Sequence, residues 1–261
     1  MIALLLALGT CPPKAELRQL KAAAPGDALV LVDCLADPDP EIRDELAFDI
    51  VQRWLRSGAV PDETVRAVGE RLLPRLTAPD PQGFARPFAA LALSEVVRVD
   101  RIKPFLTAAE RERMVEGACA FEKGVRDYRG FDEKEGWRHG VAHGADWLLQ
   151  LALNPEVGKP QLDRMLDAIA SQIAPAGHFY VFGEGQRLAR ATYFIASRGL
   201  HTRDEWAAWL ARAAPASEAL AAMHDAREFL FALYVMAAES DDAALRDRLL
   251  PGLRAAVRMR G

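Results

Sequence analysis

The sequence is short of nearly everything that announces a reaction. No serine elbow, Gly-rich phosphate loop or dinucleotide fingerprint occurs in it, so the common hydrolase, nucleotide and dehydrogenase signatures are excluded. Cysteine is scarce: Cys11, Cys34 and Cys119 are the only three in 261 residues, and no metal-binding spacing joins them. Runs of β-branched residues are nearly missing, which argues against a sheet. Basic excess is missing too. Lys and Arg number 33 against 37 Asp and Glu, a net charge of −4 without the footprint of a nucleic-acid binder. No apolar stretch reaches the roughly 18 residues that a membrane-crossing helix requires.

What is present favours helix. Alanine, leucine and arginine dominate, Gly and Pro fall as punctuation, and 51 % apolar with 27 % charged residues is ordinary for a globular chain with a sizeable core. Helical spacing recurs from Lys14 onward. Thr107-x-x-Glu110 and Thr202-x-x-Glu205 read as capping boxes, Pro61 and Pro160 as helix openers, and Asn154-Pro155 as a stop. Leu35-Ala36-Asp37-Pro38-Asp39-Pro40-Glu41-Ile42-Arg43 is similar to the turn of a HEAT repeat, where Asp caps, Pro enters the first turn and Arg reaches neighbouring carbonyls or acids. These features predict an all-α fold, an irregular α-α superhelix or HEAT-like array of roughly a dozen helices joined by short connections, forming one domain over 11–261. Residues 1–10 open with Met-Ile-Ala-Leu-Leu-Leu-Ala-Leu, which reads as the apolar region of a signal peptide although no basic residue precedes it. Export to the periplasm is therefore expected ahead of a cytoplasmic location, with Cys11 and Cys34 then free to pair.

The chemistry concentrates in Gly136–Gln150. Continued as one helix, this stretch puts His143 about 40° from His139 and Asp146 about 20° away on the other side, with Gln150 one turn on. Trp137, Val141, Ala145 and Leu148 then form an opposing apolar stripe, so a polar stripe is expected on a buried helix. Three readings stay open for His139, His143 and Asp146: divalent-metal ligands, an acid–base site, or a hydrogen-bonded ladder that locks helices together. A metal would need a further ligand from Asp132, Glu133, Glu135, His178 or Glu184. Gly140 and Gly144 lie four apart, a smooth ridge suited to close packing. Glu184 and Arg187 open a later helix, as an ion pair or as the wall of a pocket that His178 reaches. Trp206 and Trp209 read as core; His201 and His224 read as surface or capping residues.

Three segments carry a family resemblance: Asp33–Pro40, Gly136–Asp146 with its Trp-x-His-x-x-Ala-His-x-x-Asp core, and Gly183–Ala189. Together they resemble the bacterial family catalogued as domain of unknown function 2785, over most of the chain from Cys11 onward. The resemblance implies an all-helical, HEAT-like or related fold and no established activity. Two functions are carried forward. One is a binding or interaction module for a protein, peptide or small acidic ligand, in which Trp137, Gln150, His178, Glu184 and Arg187 make contacts. The other is a hydrolase or lyase, with or without a metal, working through His139, His143 and Asp146.

Overall fold

The computed structural model describes residues 11–214 and 219–258; the expected signal segment at 1–10 lies outside the described residues. The chain runs through α1 (Lys14–Ala22), a 3-10 helix (Ala28–Ala36), and a π-helical stretch (Glu41–Phe48) continuous with α2 (Asp49–Arg56). α3 (Asp62–Leu72) ends in a 3-10 turn (Leu73–Leu76), and α4 (Ala85–Ile102) and α5 (Ala108–Gly124) follow. A two-residue hairpin, β1 (Phe131–Asp132) and β2 (Gly136–Trp137), leads into α6 (Gly140–Ala152). The rest is α7 (Lys159–Ala170), α8 (Glu184–Ser197), α9 (Arg203–Ala213), α10 (Leu220–Ala238) and α11 (Ala243–Arg258).

The fold is all-α, as expected, and it has two layers. α2, α4, α6, α8 and α10 pack side by side in one; the odd-numbered helices lie behind them, α5 against α7 and α9 against α11. Apolar periodicity explains the sandwich: each helix buries its stripe against the opposite layer. Trp54, Trp147 and Trp206 are among the largest side chains wholly inside, and Trp209 joins the core as expected. Both threonine caps form as read. Thr107 and Thr202 accept from the amides of Glu110 and Glu205, whose carboxylates accept from the threonine amides.

The turn before α2 behaves as its sequence suggests. Asp39 accepts from the Glu41 amide, and the wholly buried Arg43 donates to the carbonyls of Asp37 (2.9 Å) and Glu135 (2.6 Å). Its guanidinium also lies 3.9 Å from the ring centre of Phe84, whose ring is contacted by Arg138 as well, at 4.1 Å. Arg43 thus fastens the 131–137 hairpin to the first helical turn. The segment after Asp27 is a 3-10 helix, started by the Asp27 side chain, which accepts from the Leu29 amide.

Asp100 ties the two layers together, and a disulfide fastens the start of the described chain. Asp100, wholly buried, accepts from the Phe105 and Leu106 amides, from Arg111 (2.8 Å) and from Asn154 (2.8 Å). Burial opposes its charge, yet these bonds outweigh it and hold the carboxyl below its usual range. Cys11 and Cys34 form a disulfide with 4.9 Å between Cα atoms, and Cys119 is a free, buried thiol whose pKa burial pushes up to about 11. His201 corrects an expectation. It is only 5 % exposed, bonded to Asp163 at 2.7 Å and leaning on Trp206, because the turn between α8 and α9 folds inward over α7.

Candidate functional site

The site begins at the hairpin. The amides of Arg138 and His139 donate to the carbonyls of Gly130 and Arg129, so the strand pairing runs on to His139. The His139 carbonyl then accepts from the His143 amide and starts α6. One residue must serve both as the last rung of a hairpin and as the cap of a helix. His139 does so with φ 52°, ψ 42°, the only positive φ outside glycine among the described residues. For a residue with a side chain this left-handed conformation costs about 1–2 kcal/mol.

That geometry corrects the single-helix reading. His139 and Trp137 precede α6, and Trp137 stacks on the His139 ring (4.8 Å, 24°) instead of joining an apolar helix stripe. The two imidazoles still meet, edge to face at 5.9 Å, with Phe88 of α4 closing the far side of His143. His143 Nδ1 lies 3.2 Å from the Pro87 carbonyl, so the neutral ring donates there. His139 Nε2 has no hydrogen-bond partner and stands 3.5 Å from Glu184 Oε1. All three side chains are buried.

Burial sets the charge of each group. It lowers the pKa of His139 to about 4 and of His143 to about 3, and the nearby Arg187 cation adds to both. Burial also raises Glu184, although its own amide and that of Phe182 (3.0 Å) hold it back. Near neutral pH the pair of rings is uncharged.

Asp146 points away from the histidines toward Arg187, with which it forms an ion pair; burial raises its carboxyl and that pair opposes the rise. Arg187 therefore belongs to Asp146, and Glu184 accepts from the Phe182 amide beside His139, so of the two readings the Glu184–Arg187 ion pair does not form. Among the described residues no three His, Cys, Asp or Glu side chains stand in metal-ligand geometry. The set His139, His143 and Asp146 does not fit a metal, since the third donor is turned to a guanidinium. His178 stacks on Tyr128 at 4.7 Å and lines a neighbouring cavity with Phe182, beyond reach of a bond to His139.

The polar contacts continue along the same layer. Gln52 and Arg56 of α2 bond Glu95 of α4; Arg101 of α4 bonds Gln150 of α6 at 2.8 Å; Asp146 of α6 meets Arg187 of α8. Each contact bridges neighbouring helices on the solvent side, so these side chains share one face. Arg98 repels Arg101 there, and Arg190 faces Asp146. At the α8–α10 end the face opens into a cavity of about 660 Å³ lined by Arg187, Arg190, Glu228 and the exposed Phe231 and Val235.

Sequence reasoning missed Glu122. Its side chain is fully buried, neither oxygen has a partner, and burial raises its pKa well above the usual range, with the Asp146 charge adding to that. Gly144 makes the space: a Cβ there would overlap Oε2 of Glu122. The signal was available, because Glu122 falls on the apolar stripe of Val115, Ala118 and Val125.

A family model described as "Protein of unknown function (DUF2785)" matches residues 72–236, which is more than half of the 261-residue chain. The histidine and Gly183–Ala189 segments fall within it; Asp33–Pro40 lies before it. No curated protein and no solved structure matches the chain.

Proposed function

The chain belongs to the DUF2785 family, a family of unknown function, and we propose that it is a binding module for an acidic peptide, taken on the solvent face of α2, α4, α6 and α8. The observation that carries this reading is the charge of that face. Arg56, Arg98, Arg101, Arg187 and Arg190 are five cations against three carboxylates, Glu95, Asp146 and, at the α8–α10 end, Glu228, on a chain whose net charge is −4. Peptide carboxylates complement Arg98, Arg101 and Arg190, for which no carboxylate hydrogen bond or ion pair occurs among the described residues. An apolar peptide side chain fits over Phe231 and Val235 at the α8–α10 end. Interspersed acids and negative net charge disfavour a nucleic acid.

The test is fluorescence anisotropy of a fluorescein-labelled octaglutamate ending in leucine. Expected is salt-sensitive binding that Arg98→Glu/Arg101→Glu weakens at least about tenfold, a loss of about 1.4 kcal/mol, with melting unchanged. Equal binding by the variant, or tighter binding of an oligothymidylate, would sink the proposal.

A second reading, a hydrolase or lyase, has one observation in its favour: the unbonded, buried His139 Nε2 beside Glu184 in strained backbone. His143, neutral and bonded to the Pro87 carbonyl of α4, ties α6 to α4 and suits proton transfer poorly. Export remains part of the proposal, supported by the Cys11–Cys34 bridge, which needs an oxidising compartment. Sequencing the native N-terminus checks it: a start near Cys11 is expected, and a retained Met1 would count against it.

A further inference from the structure

Behind the histidine pair lies a second space that the arginine face does not use. It is a cavity of about 510 Å³ between the 3-10 turn after α3, the start of α4 and the end of α5. Pro87 and Gly140 form part of its wall; beyond that wall stand His143, bonded to the Pro87 carbonyl, and His139. Its size is within the roughly 300–1,000 Å³ of small-molecule sites.

The lining is of two kinds. Leu73, Leu76 and Phe121 give an apolar body, and Gly117 and Gly124 of α5 contribute no side chains to fill it. A Cβ at Gly124 would meet nothing within 4 Å, whereas one at Gly117 would press on Trp147 and Leu73. The charged residues are Asp80, Arg86, Arg126 and Asp127. Of the acids, Asp127 is paired with Arg129, and Asp80 accepts only from the Gly83 and Arg86 amides, which leaves one carboxylate charge against the two guanidiniums. Both cations bond main chain alone, Arg86 to the Ala78 carbonyl and Arg126 to those of Lys123 and Val125; among the described residues neither has a carboxylate partner. An apolar chamber edged by two guanidiniums with unspent charge matches one ligand chemistry: an apolar body ending in an anion.

We propose that this cavity binds a small amphiphilic carboxylic acid, its hydrocarbon part against Leu73, Leu76 and Phe121 and its carboxylate at Arg86 and Arg126. The apolar part supplies affinity through burial, and the guanidiniums select the acid over the alcohol of equal length. The site is separate from the arginine face and stands or falls without it.

The experiment is calorimetric titration of the full chain with octanoate and with 1-octanol. Wild type is expected to bind octanoate at least tenfold more tightly than octanol. Gly124→Phe, at the last residue of α5 where a Cβ meets nothing within 4 Å, adds a ring at the cavity wall and should weaken both ligands at least tenfold while leaving the melting temperature unchanged. Arg86→Met/Arg126→Met should abolish the preference for the acid and spare octanol. Arg190→Glu, on the other face, should change neither. Absence of octanoate binding at millimolar concentration, equal binding of acid and alcohol by wild type, or full binding by Gly124→Phe would each overturn the proposal.

Discussion

Replacing His143 by glutamine is expected to erase a pH dependence of stability of about 1.4 kcal/mol per pH unit on the acid side of neutrality. The native ring titrates near 3 and the unfolded one near 6.5. Between those values the unfolded chain holds a proton that the native chain refuses, so the stability contributed by the neutral ring is present above pH 6.5 and is lost as pH falls toward 3. The full loss is on the order of 5 kcal/mol, and His139, lowered to about 4, adds on the order of 3 kcal/mol of the same sign. Glu122 has the opposite sign. Its native pKa is raised, so its contribution is present below the unfolded value near 4.5 and is lost as pH rises toward the native value. Asp146 and Glu184, raised for the same reason, partly mask the acid limb in wild type, so the variants are compared with wild type at each pH. Urea denaturation from pH 4 to 8 should give two difference curves of opposite slope. The advantage of wild type over His143→Gln shrinks as pH falls; that of Glu122→Gln over wild type grows as pH rises. Flat or parallel curves would mean that the two groups are not buried as described.

Gly144→Ala is the second large effect. A methyl at this position meets the Glu122 carboxylate, which lies in a fully buried space between α5 and α6 with Phe121 at its side. Overpacking a tight core costs about 1–3 kcal/mol. A loss of about 2–3 kcal/mol is expected, because the clashing carboxyl is fully buried, despite the better helix propensity of alanine. Combined with Glu122→Ala the clash disappears, so the double variant should be more stable than Gly144→Ala alone, with a coupling energy above about 2 kcal/mol. Additive losses would show that the glycine serves α5–α6 contact in general and not this carboxyl.

The helices were legible because their signals are local. Caps, prolines and apolar spacing fixed both threonine boxes, the start of α8 at Glu184 and the core role of the tryptophans. The resemblance to the DUF2785 family was legible too, over a narrower span than its three segments suggested. The site was legible as residues but not as geometry. The backbone switch at His139 follows from the pairing of Arg138 with Gly130 and of His139 with Arg129, eight and ten positions earlier, which helical periodicity does not register. Glu184 and Arg187 are spaced like an ion pair, yet tertiary partners on α6 and at the hairpin claim them separately. Glu122 went unread, although its place on an apolar stripe marks it as buried.

The histidines are neutral and buried, and the ligand surface we propose is the arginine-rich face. The most direct test is hydrogen–deuterium exchange on the full chain with and without the labelled octaglutamate peptide at saturation. The account predicts protection of α4, α6 and α8 around Arg98, Arg101, Gln150, Arg187 and Arg190, with 136–139 and 180–184 unchanged. Protection centred instead on Trp137, His139 and Glu184 would contradict it and move the site to the strained imidazole, where the hydrolase or lyase reading would take over.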